Sequence, residues 1–255
     1  MEPLLNLQNL DVIYGKGATA HHAVKKVSLH INPCEILGLV GESGCGKSSL
    51  GKAIIRLIKP ASGKILFKNR DVAPLRGKEL KTYRQEVQMI FQDPYGSLNP
   101  RIKVGNAITE VLYVHNIGKT RNERLDRAVE LFESVGLQAD WVYRYPHQFS
   151  GGQRQRICIA RALALNPDLI VADEPVSALD VSIQAEILEL LENLRATRNL
   201  AFLFVSHDLA VVRNLCDRVA VMNQGVIVET GPVAQVIDNP QDEYTQTLLA
   251  AVPNF

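Results

Sequence analysis

The stretch that most constrains this chain is GESGCGKS, which follows the apolar run EILGLV and leads into KSSLGKAIIRLI. It fits the pattern GxxxxGK(S/T) between a strand and a helix, which is the context that this motif requires. Glycines let the backbone wrap around a phosphate, while the lysine supplies a point charge to the β- and γ-phosphates and the serine hydroxyl binds Mg²⁺. We therefore expect a nucleotide-phosphate site formed by Gly41, Glu42, Ser43, Gly44, Cys45, Gly46, Lys47, Ser48 and Ser49.

Composition excludes several classes of protein. The 28 basic and 27 acidic residues leave a net charge of +1, so nothing indicates a nucleic-acid partner. No run approaches 18 uncharged apolar residues, and the N-terminus lacks the basic and apolar regions of a signal peptide. The four cysteines are scattered without a CxxC pair, and the doubled histidine at 21–22 reads as a solvated loop before a strand. We expect a soluble intracellular chain with free thiols.

The order of apolar segments predicts an α/β fold. A helix is expected after the phosphate loop, carrying Leu50, Ile54, Leu57 and Ile58 on one face and stopped by Pro60. Residues 101–148 show helical spacing, and from residue 168 strands and helices alternate before a hairpin turned at Gly225. Such alternation predicts a mostly parallel sheet with helices on both faces. We expect one domain over 1–255, with an α/β core at about 1–98 and 160–255 and a helical subdomain at about 99–159.

Two apolar strands end in chemically useful side chains. LIVADEP delivers Asp173 at the edge of the sheet where open α/β folds bind ligands, so this carboxylate can hold Mg²⁺ against phosphates. Glu174 leaves the strand axis and is placed to polarise an attacking water. FVSHDL repeats the geometry with His207, which can hydrogen-bond a γ-phosphate or hold Glu174 and its water in line. We expect these strand ends to be neighbours.

Two loop residues are weaker candidates. Gln92, in IFQDPYGSLNP, follows another apolar strand end, and its amide could reach Mg²⁺ or the attacking water. Asp180, in SALD, lies seven residues beyond Asp173. Taken alone, either would be an ordinary turn residue.

A second anion site is indicated by FSGGQRQR, in which small residues open a helix. Amides left uncovered at a helix N-terminus bind anions, so one domain carries two phosphate-binding elements. The residues concerned are Ser150, Gly151, Gly152 and Gln153.

In this order the motifs resemble those of the nucleotide-binding subunits of ABC transporters, over essentially the whole chain. The family calls them Walker A, Q-loop, signature, Walker B with the catalytic glutamate, D-loop and H-loop. They stand here at Gly41–Ser48, Gln92, Ser150–Gln153, Asp173–Glu174, Ser177–Asp180 and His207. The resemblance implies a P-loop NTPase core with an antiparallel N-terminal β subdomain and an inserted helical subdomain. It also implies that Tyr14 stacks on adenine and that Phe149, where leucine is more common, anchors packing.

The same resemblance implies an assembly. Two subunits, identical or paralogous, would sandwich two ATP molecules with Mg²⁺, each signature helix facing the other chain's P-loop. The pair would sit on the cytoplasmic face of the inner or plasma membrane and power permease subunits that are supplied by an extracytoplasmic solute-binding protein. FQDPYGSLNPR and the tail VIDNPQDEYTQTLLAAVP look like the oligopeptide, dipeptide and nickel import group.

Several alternatives stay open. Members of that group often carry a cysteine-containing C-terminal segment associated with an iron–sulfur cluster, which this sequence lacks, so the resemblance does not carry a cluster over. Peptides, nickel complexes and related solutes are equally open as cargo. An ATPase subunit of a soluble complex, such as one that processes phosphonates, is the alternative function.

Overall fold

The computed structural model describes residues 2–15 and 17–251, which form two sheets and their covering helices. The strands are β1 Leu5–Tyr14, β2 His21–Ile31, β3 Ile36–Val40, β4 Ser62–Phe67, β5 Arg70–Asp71, β6 Val87–Ile90, β7 Leu169–Asp173, β8 Ala201–Val205, β9 Arg218–Asn223 and β10 Val226–Pro232. The α-helices are α1 Lys47–Ile54, α2 Gly77–Glu86, α3 Val104–Val114, α4 Arg121–Ser134, α5 Gly151–Leu163, α6 Val181–Arg198, α7 Leu209–Leu215, α8 Val233–Asp238 and α9 Glu243–Ala250.

The larger sheet has the order β10-β9-β3-β8-β7-β6 and is parallel except for β10. All five residues of β3, β7 and β8 are buried, because helices or the second sheet cover both faces of a parallel sheet. Leu37 and Leu39 enter one hydrophobic cluster, and Ile36 and Val40 enter the other, as the two-residue period of a strand requires. The core therefore lies on both sides of this sheet.

The smaller sheet is antiparallel, with the order β2-β1-β4-β5. Its buried face packs with α1 in the same cluster as Leu37 and Leu39. The predicted fold class is therefore confirmed: a mostly parallel sheet, an N-terminal antiparallel sheet and inserted helices. The predicted subdomain limits remain a prediction, and the limit between residues 159 and 160 falls inside α5.

Two local expectations are wrong. The helix after the phosphate loop ends at Ile54, and Leu57 is 52% exposed instead of lying on its buried face. Arg56 turns the chain with a left-handed φ of 60° because its guanidinium donates to the carbonyls of Val72 and Leu75. His22 belongs to β2 instead of a loop, where its Nε2 lies 2.7 Å from the Asp11 carboxylate.

Candidate functional site

The phosphate loop adopts a conformation that only glycine allows at two of its positions. Gly41 has φ 146°, and a Cβ there would lie 2.1 Å from the carbonyl oxygen of Met222. Gly46 has φ 115°, and a Cβ there would lie 2.3 Å from the carbonyl oxygen of Ala23. Both values are below any real contact distance, so the loop fits tightly between β9 and β2. It begins at the end of β3 and leads directly into α1.

Lys47 is held inside this loop. The side chain is 5% exposed, and its amine donates to the carbonyl oxygens of Gly41 at 2.7 Å and Glu42 at 2.8 Å. None of the ion pairs between residues that the structure describes involves Lys47. The amine also lies 3.7 Å from the Cys45 Sγ. A buried cation held by neutral acceptors is compensated best by a bound anion, so this position suits a phosphate.

Asp173 meets the phosphate loop at the end of β7. Its Oδ1 accepts a hydrogen bond from the Ser48 hydroxyl at 3.0 Å. The approach is close because α1 crosses β7 at Gly51, where a Cβ would lie only 2.9 Å from Val171. Burial raises the pKa of Asp173, an effect that the Ser48 hydrogen bond and the charges of Lys52 and Lys47 oppose. The carboxylate is 4% exposed and forms no ion pair with a described residue.

This pair of oxygen ligands fits Mg²⁺. Magnesium usually binds one or two carboxylates, substrate phosphates and waters, and it does not need a cage built from protein alone. The described residues contain no group of three or more His, Cys, Asp or Glu side chains that could hold a metal ion. The Ser48 hydroxyl and the Asp173 carboxylate therefore suit a cation that arrives with phosphate. Burial penalises the charged form of Asp173, and a bound cation would offset that penalty.

Replacing Asp173 by Asn should raise the melting temperature of the nucleotide-free chain at neutral pH. The pKa of Asp173 lies above its ordinary value of 3.8, so the folded chain binds this proton more tightly than the unfolded chain. The stability contributed by protonated Asp173 is lost as pH rises through the raised pKa, and asparagine removes that loss. Thermal melts from pH 3 to 8 should show the two proteins converging at acid pH. Lower stability of the variant at pH 7 would contradict this account.

Glu174 is the centre of a second cluster. It has a left-handed φ of 47°, which is unusual for a glutamate, and its amide donates to the carbonyl of Val205 at 3.0 Å. This turn takes the side chain off the axis of β7, where its Oε2 accepts from the Gln92 amide at 2.9 Å and lies 3.3 Å from the His207 Nδ1. The strand ends of β6, β7 and β8 thus bring three predicted residues together.

Tyr14 stands at the opposite side of the loop. Its hydroxyl donates to the Ser49 hydroxyl at 3.1 Å, and its ring is 39% exposed. A cavity of about 190 Å³ lies between Tyr14 and Glu174. Its lining comprises Tyr14, His21, Ala23, Ser43, Gly44, Gly46, Lys47, Ser48, Ser49, Gln92 and Glu174. His21 and Ala23 were missed in the sequence, because only strand pairing brings β2 beside the loop.

The predicted second anion site lies elsewhere. Ser150, Gly151, Gly152, Gln153 and Asp180 do not line the cavity at the phosphate loop. Ser150 caps α5: its hydroxyl accepts from the Gln153 amide at 3.3 Å, and its own amide donates to the Gln153 side chain at 3.0 Å. Asp180 is exposed at the start of α6, without a side-chain capping bond. One chain therefore presents two separate groups of predicted site residues.

Gly152 has an additional role in packing. A Cβ there would lie 2.3 Å from the Cγ2 of Ile183, whereas one at Gly151 would lie at an ordinary 3.5 Å from Leu179. A substitution at Gly152 would therefore disturb the packing of α5 on α6 as well as any anion at the helix end. Phe149 is 4% exposed and packs edge-on against Trp141, which confirms its predicted role as a packing residue.

The segment after Gln92 is bound to α5 by two arginines that the sequence did not reveal. The Arg154 guanidinium lies 3.8 Å from the ring centroid of Tyr95, and Arg161 donates to the carbonyl of Ser97. Both arginines face this segment from α5, whose first residues belong to the predicted second anion site. Helical spacing from FSGGQRQR places them on α5, but nothing local in the sequence identifies their partners.

No helix in the described ranges combines the length and the apolar character needed to cross a bilayer.

The fold and the loop chemistry define a P-loop nucleotide-binding domain. The family model described as ABC transporter matches residues 24–177, which is more than half of the chain. The chain belongs to the ABC transporter family. The resemblance inferred from the sequence motifs is thereby confirmed.

Several similar proteins are named as ATP-binding proteins of transport or import systems. The dipeptide transport ATP-binding protein DppF of Lactococcus lactis is 48% identical over 98% of this chain and 81% of its own length. The oligopeptide transport ATP-binding protein OppF of Bacillus subtilis is 47% identical over 99% and 83%. The glutathione import ATP-binding protein GsiA of Pectobacterium atrosepticum is 49% identical over 99% of this chain, which spans only 41% of that protein.

Solved structures agree with the fold. A dimeric structure of a post-hydrolysis state of the ATP-binding cassette MJ0796, bound to ADP and Pi, has a TM-score of 0.81 at 31% identity, covering 90% of this chain and 98% of that one. The structure of cbiO1 from Clostridium perfringens, part of the ABC transporter complex cbiONQ, has a TM-score of 0.82 at 27% identity, covering 94% and 92%.

Proposed function

We propose that this chain is the ATP-binding and ATP-hydrolysing subunit of a membrane importer for peptides. The observation that carries the proposal is the convergence of the phosphate loop, Asp173 and the Glu174 cluster at one edge of the parallel sheet. Membership in the ABC transporter family and relatives named for dipeptide, oligopeptide and glutathione import support the transport role. The same names favour peptides over nickel complexes as the cargo.

Nucleotide binding would use the residues of the loop directly. Lys47 would direct its amine to the β- and γ-phosphates, and the exposed ring of Tyr14 would stack on adenine. Ser48 and Asp173 would hold Mg²⁺, with the Gln92 amide oxygen as a further ligand. When bound, the cation would neutralise phosphate charge and fix the orientation of the γ-phosphate.

Hydrolysis would begin at Glu174. Its carboxylate would accept a proton from a water as that water attacks the γ-phosphorus, and the bond to the β–γ bridging oxygen would break to give ADP and phosphate. The Gln92 amide and the His207 imidazole both contact the same oxygen of Glu174. They would therefore fix the direction of the base and of the water, and the electron pair of the broken bond would stay with ADP.

A second subunit would complete the site. The cavity beside the phosphate loop holds about 190 Å³, less than the roughly 300–1,000 Å³ typical of small-molecule sites. The N-terminus of α5 lies outside it, and Val181, next to Asp180, is 84% exposed. We infer that Ser150, Gly151, Gly152 and Gln153 bind the γ-phosphate held by the partner, which would be a copy or a paralogue. The similar ATP-binding cassette MJ0796 has a dimeric structure, which supports this arrangement.

The permease would contact a groove of about 730 Å³ between the α/β core and the helical insertion. Leu57, Met89 and Phe91 line one side, and Ala107 and Val111 of α3 line the other. The groove also includes Asp93 and Ser97 from the segment after Gln92. A permease segment seated there would be displaced when Gln92 responds to nucleotide. The chain would thus work at the cytoplasmic face of the membrane without entering it.

Replacing Leu57 by Glu should release the permease and leave ATP binding intact. The side chain is 52% exposed at the groove, so a carboxylate costs the free chain little but would be desolvated in the complex. We expect at least tenfold less permease to co-purify in detergent, at unchanged ATP affinity. Val226→Glu is the matched control, because Val226 is 38% exposed on β10 and does not line the groove. Equal recovery with both variants would place the permease elsewhere.

The same purification separates the two candidate functions. A peptide importer should yield membrane-spanning subunits in detergent extracts, and liposomes holding the complex should take up labelled dipeptide when ATP is supplied. Recovery of the chain only in a soluble complex would support the alternative, such as a phosphonate-processing assembly. Uptake of nickel complexes without uptake of peptides would contradict the proposed cargo.

A further inference from the structure

We propose that Tyr244, on the C-terminal helix α9, is a positioning residue for the phosphate loop. Its hydroxyl accepts a hydrogen bond from the backbone amide of Glu42 at 3.1 Å, between residues 202 positions apart. The proposal rests on the proposed function, since it concerns ATP binding at this loop. Tyr244 lies outside the phosphate-loop motif, and none of the motifs that form the candidate site lies on α9.

The helix that carries Tyr244 is itself firmly attached. The Glu229 carboxylate on β10 accepts from the amides of Gln241 and Asp242, at 2.9 and 3.2 Å. The Asp242 carboxylate in turn caps α9 by accepting from the amide of Tyr244 at 2.9 Å. On the next turns, Leu248 and Leu249 pack against the hydrophobic cluster that contains Ile36 and Val40. The hydroxyl of Tyr244 therefore has a fixed position relative to the sheet.

The peptide that Tyr244 holds is the one that holds Lys47. The Glu42 carbonyl accepts from the Lys47 amine at 2.8 Å, and the carbonyl of the preceding Gly41 accepts from it at 2.7 Å. Because the Glu42 amide and the Gly41 carbonyl belong to one planar peptide group, Tyr244 fixes a carbonyl that orients the phosphate-binding amine. If this peptide group rotated, the Gly41 carbonyl would rotate with it, and Lys47 would lose an acceptor.

A second contact from the C-terminal half of the sequence holds the other side of the loop. The amide of Gly225, in the turn between β9 and β10, donates to the carbonyl of Cys45 at 2.9 Å. The loop is therefore attached at Glu42 and at Cys45, on either side of the Ser43 and Gly44 peptides. The Gly225 contact is made by backbone atoms, whereas the Tyr244 contact depends on a single hydroxyl that phenylalanine removes.

Tyr244→Phe tests the proposal because it keeps the ring and deletes the acceptor. One hydrogen bond of this kind corresponds to a change of about two- to tenfold, so KM and the dissociation constant for ATP should rise by that factor. The turnover number should stay within about twofold, because Glu174 is untouched. Tyr113→Phe is the matched control: Tyr113 is 66% exposed on α3, and the Arg124 guanidinium above its ring does not depend on the hydroxyl.

Hydrogen exchange measured by mass spectrometry distinguishes a role of Tyr244 in positioning the phosphate loop from a role that only attaches α9 to the rest of the chain. In Tyr244→Phe, exchange should quicken in peptides covering 41–47 and stay unchanged in peptides covering 243–250, with an unchanged melting temperature. Faster exchange in both regions with a lower melting temperature would overturn the positioning role. If the wild type binds ATP and Tyr244→Phe binds it with the same affinity, the positioning role would be overturned as well. Failure of the wild type to bind ATP would overturn the proposed function first, and this inference with it.

Discussion

Replacing Glu174 by Gln should lower the steady-state rate of ATP hydrolysis by about 10²- to 10⁴-fold and leave ATP affinity almost unchanged. Glutamine keeps the shape and can still hydrogen-bond to Gln92 and His207, but it cannot take a proton from the attacking water. ATP would then persist between two subunits, and the variant should elute as an ATP-dependent dimer in gel filtration. Released phosphate and elution volume are the two measurements.

The control for this prediction is Glu189→Gln, an exposed glutamate on α6 outside the cavity. It removes the same charge and should change the rate by less than twofold. If Glu174→Gln hydrolysed ATP within a few-fold of the wild type, Glu174 would not be the base. A loss of ATP binding equal to the loss of rate would instead assign Glu174 to nucleotide binding.

Replacing Ser150 by Arg should remove hydrolysis by at least about 10²-fold while sparing ATP binding to the monomer. Ser150 lies at the exposed N-terminus of α5 and outside the cavity of its own phosphate loop. An arginine there would fill the position at which the partner's γ-phosphate is expected and would delete the cap of α5. ATP titration of the monomer and ATP-dependent dimerisation are the readouts.

Ser134→Arg provides the matched control for Ser150. Ser134 is an exposed serine at the end of α4, and its hydroxyl bonds only locally, to the carbonyl of Leu131 at 2.8 Å. This control should dimerise and hydrolyse ATP like the wild type. Hydrolysis at the wild-type rate by monomeric Ser150→Arg would show that the second anion site has no role in catalysis. Gly152 is a poorer test position, because Ile183 would clash with any side chain there.

The sequence alone was enough to predict those parts of the site that depend on residues close together in the chain. A phosphate loop needs one strand, a few glycines and one helix, so GESGCGKS defines its own backbone path. Likewise, a buried parallel strand has a continuous apolar run, and its end must lie at the ligand-binding edge of the sheet. Asp173, Glu174 and His207 could therefore be predicted as neighbours, and the pairing of β7 with β8 in the sheet confirms that these strand ends are adjacent.

Where a prediction from the sequence was wrong, a contact with a residue distant in the chain prevailed over the local sequence pattern. Leu57 continued the helical spacing of α1, but the Arg56 guanidinium bonds to the carbonyls of Val72 and Leu75 and ends the helix at Ile54. His22 looked like a loop residue until the pairing of β1 with β2 brought it to Asp11. Nothing in the sequence around Arg56 or His22 indicates these distant partners.

The sequence by itself thus predicted which residues would contact phosphate and which strand ends would carry the acid and the base. Only the tertiary structure decided what holds those residues in place: Tyr244 on the Glu42 amide, Gly225 on the Cys45 carbonyl and Arg154 on the ring of Tyr95. The physical reason is distance along the chain. Periodicity and turn chemistry act over a few residues, whereas these contacts join residues that meet only after the sheet has formed.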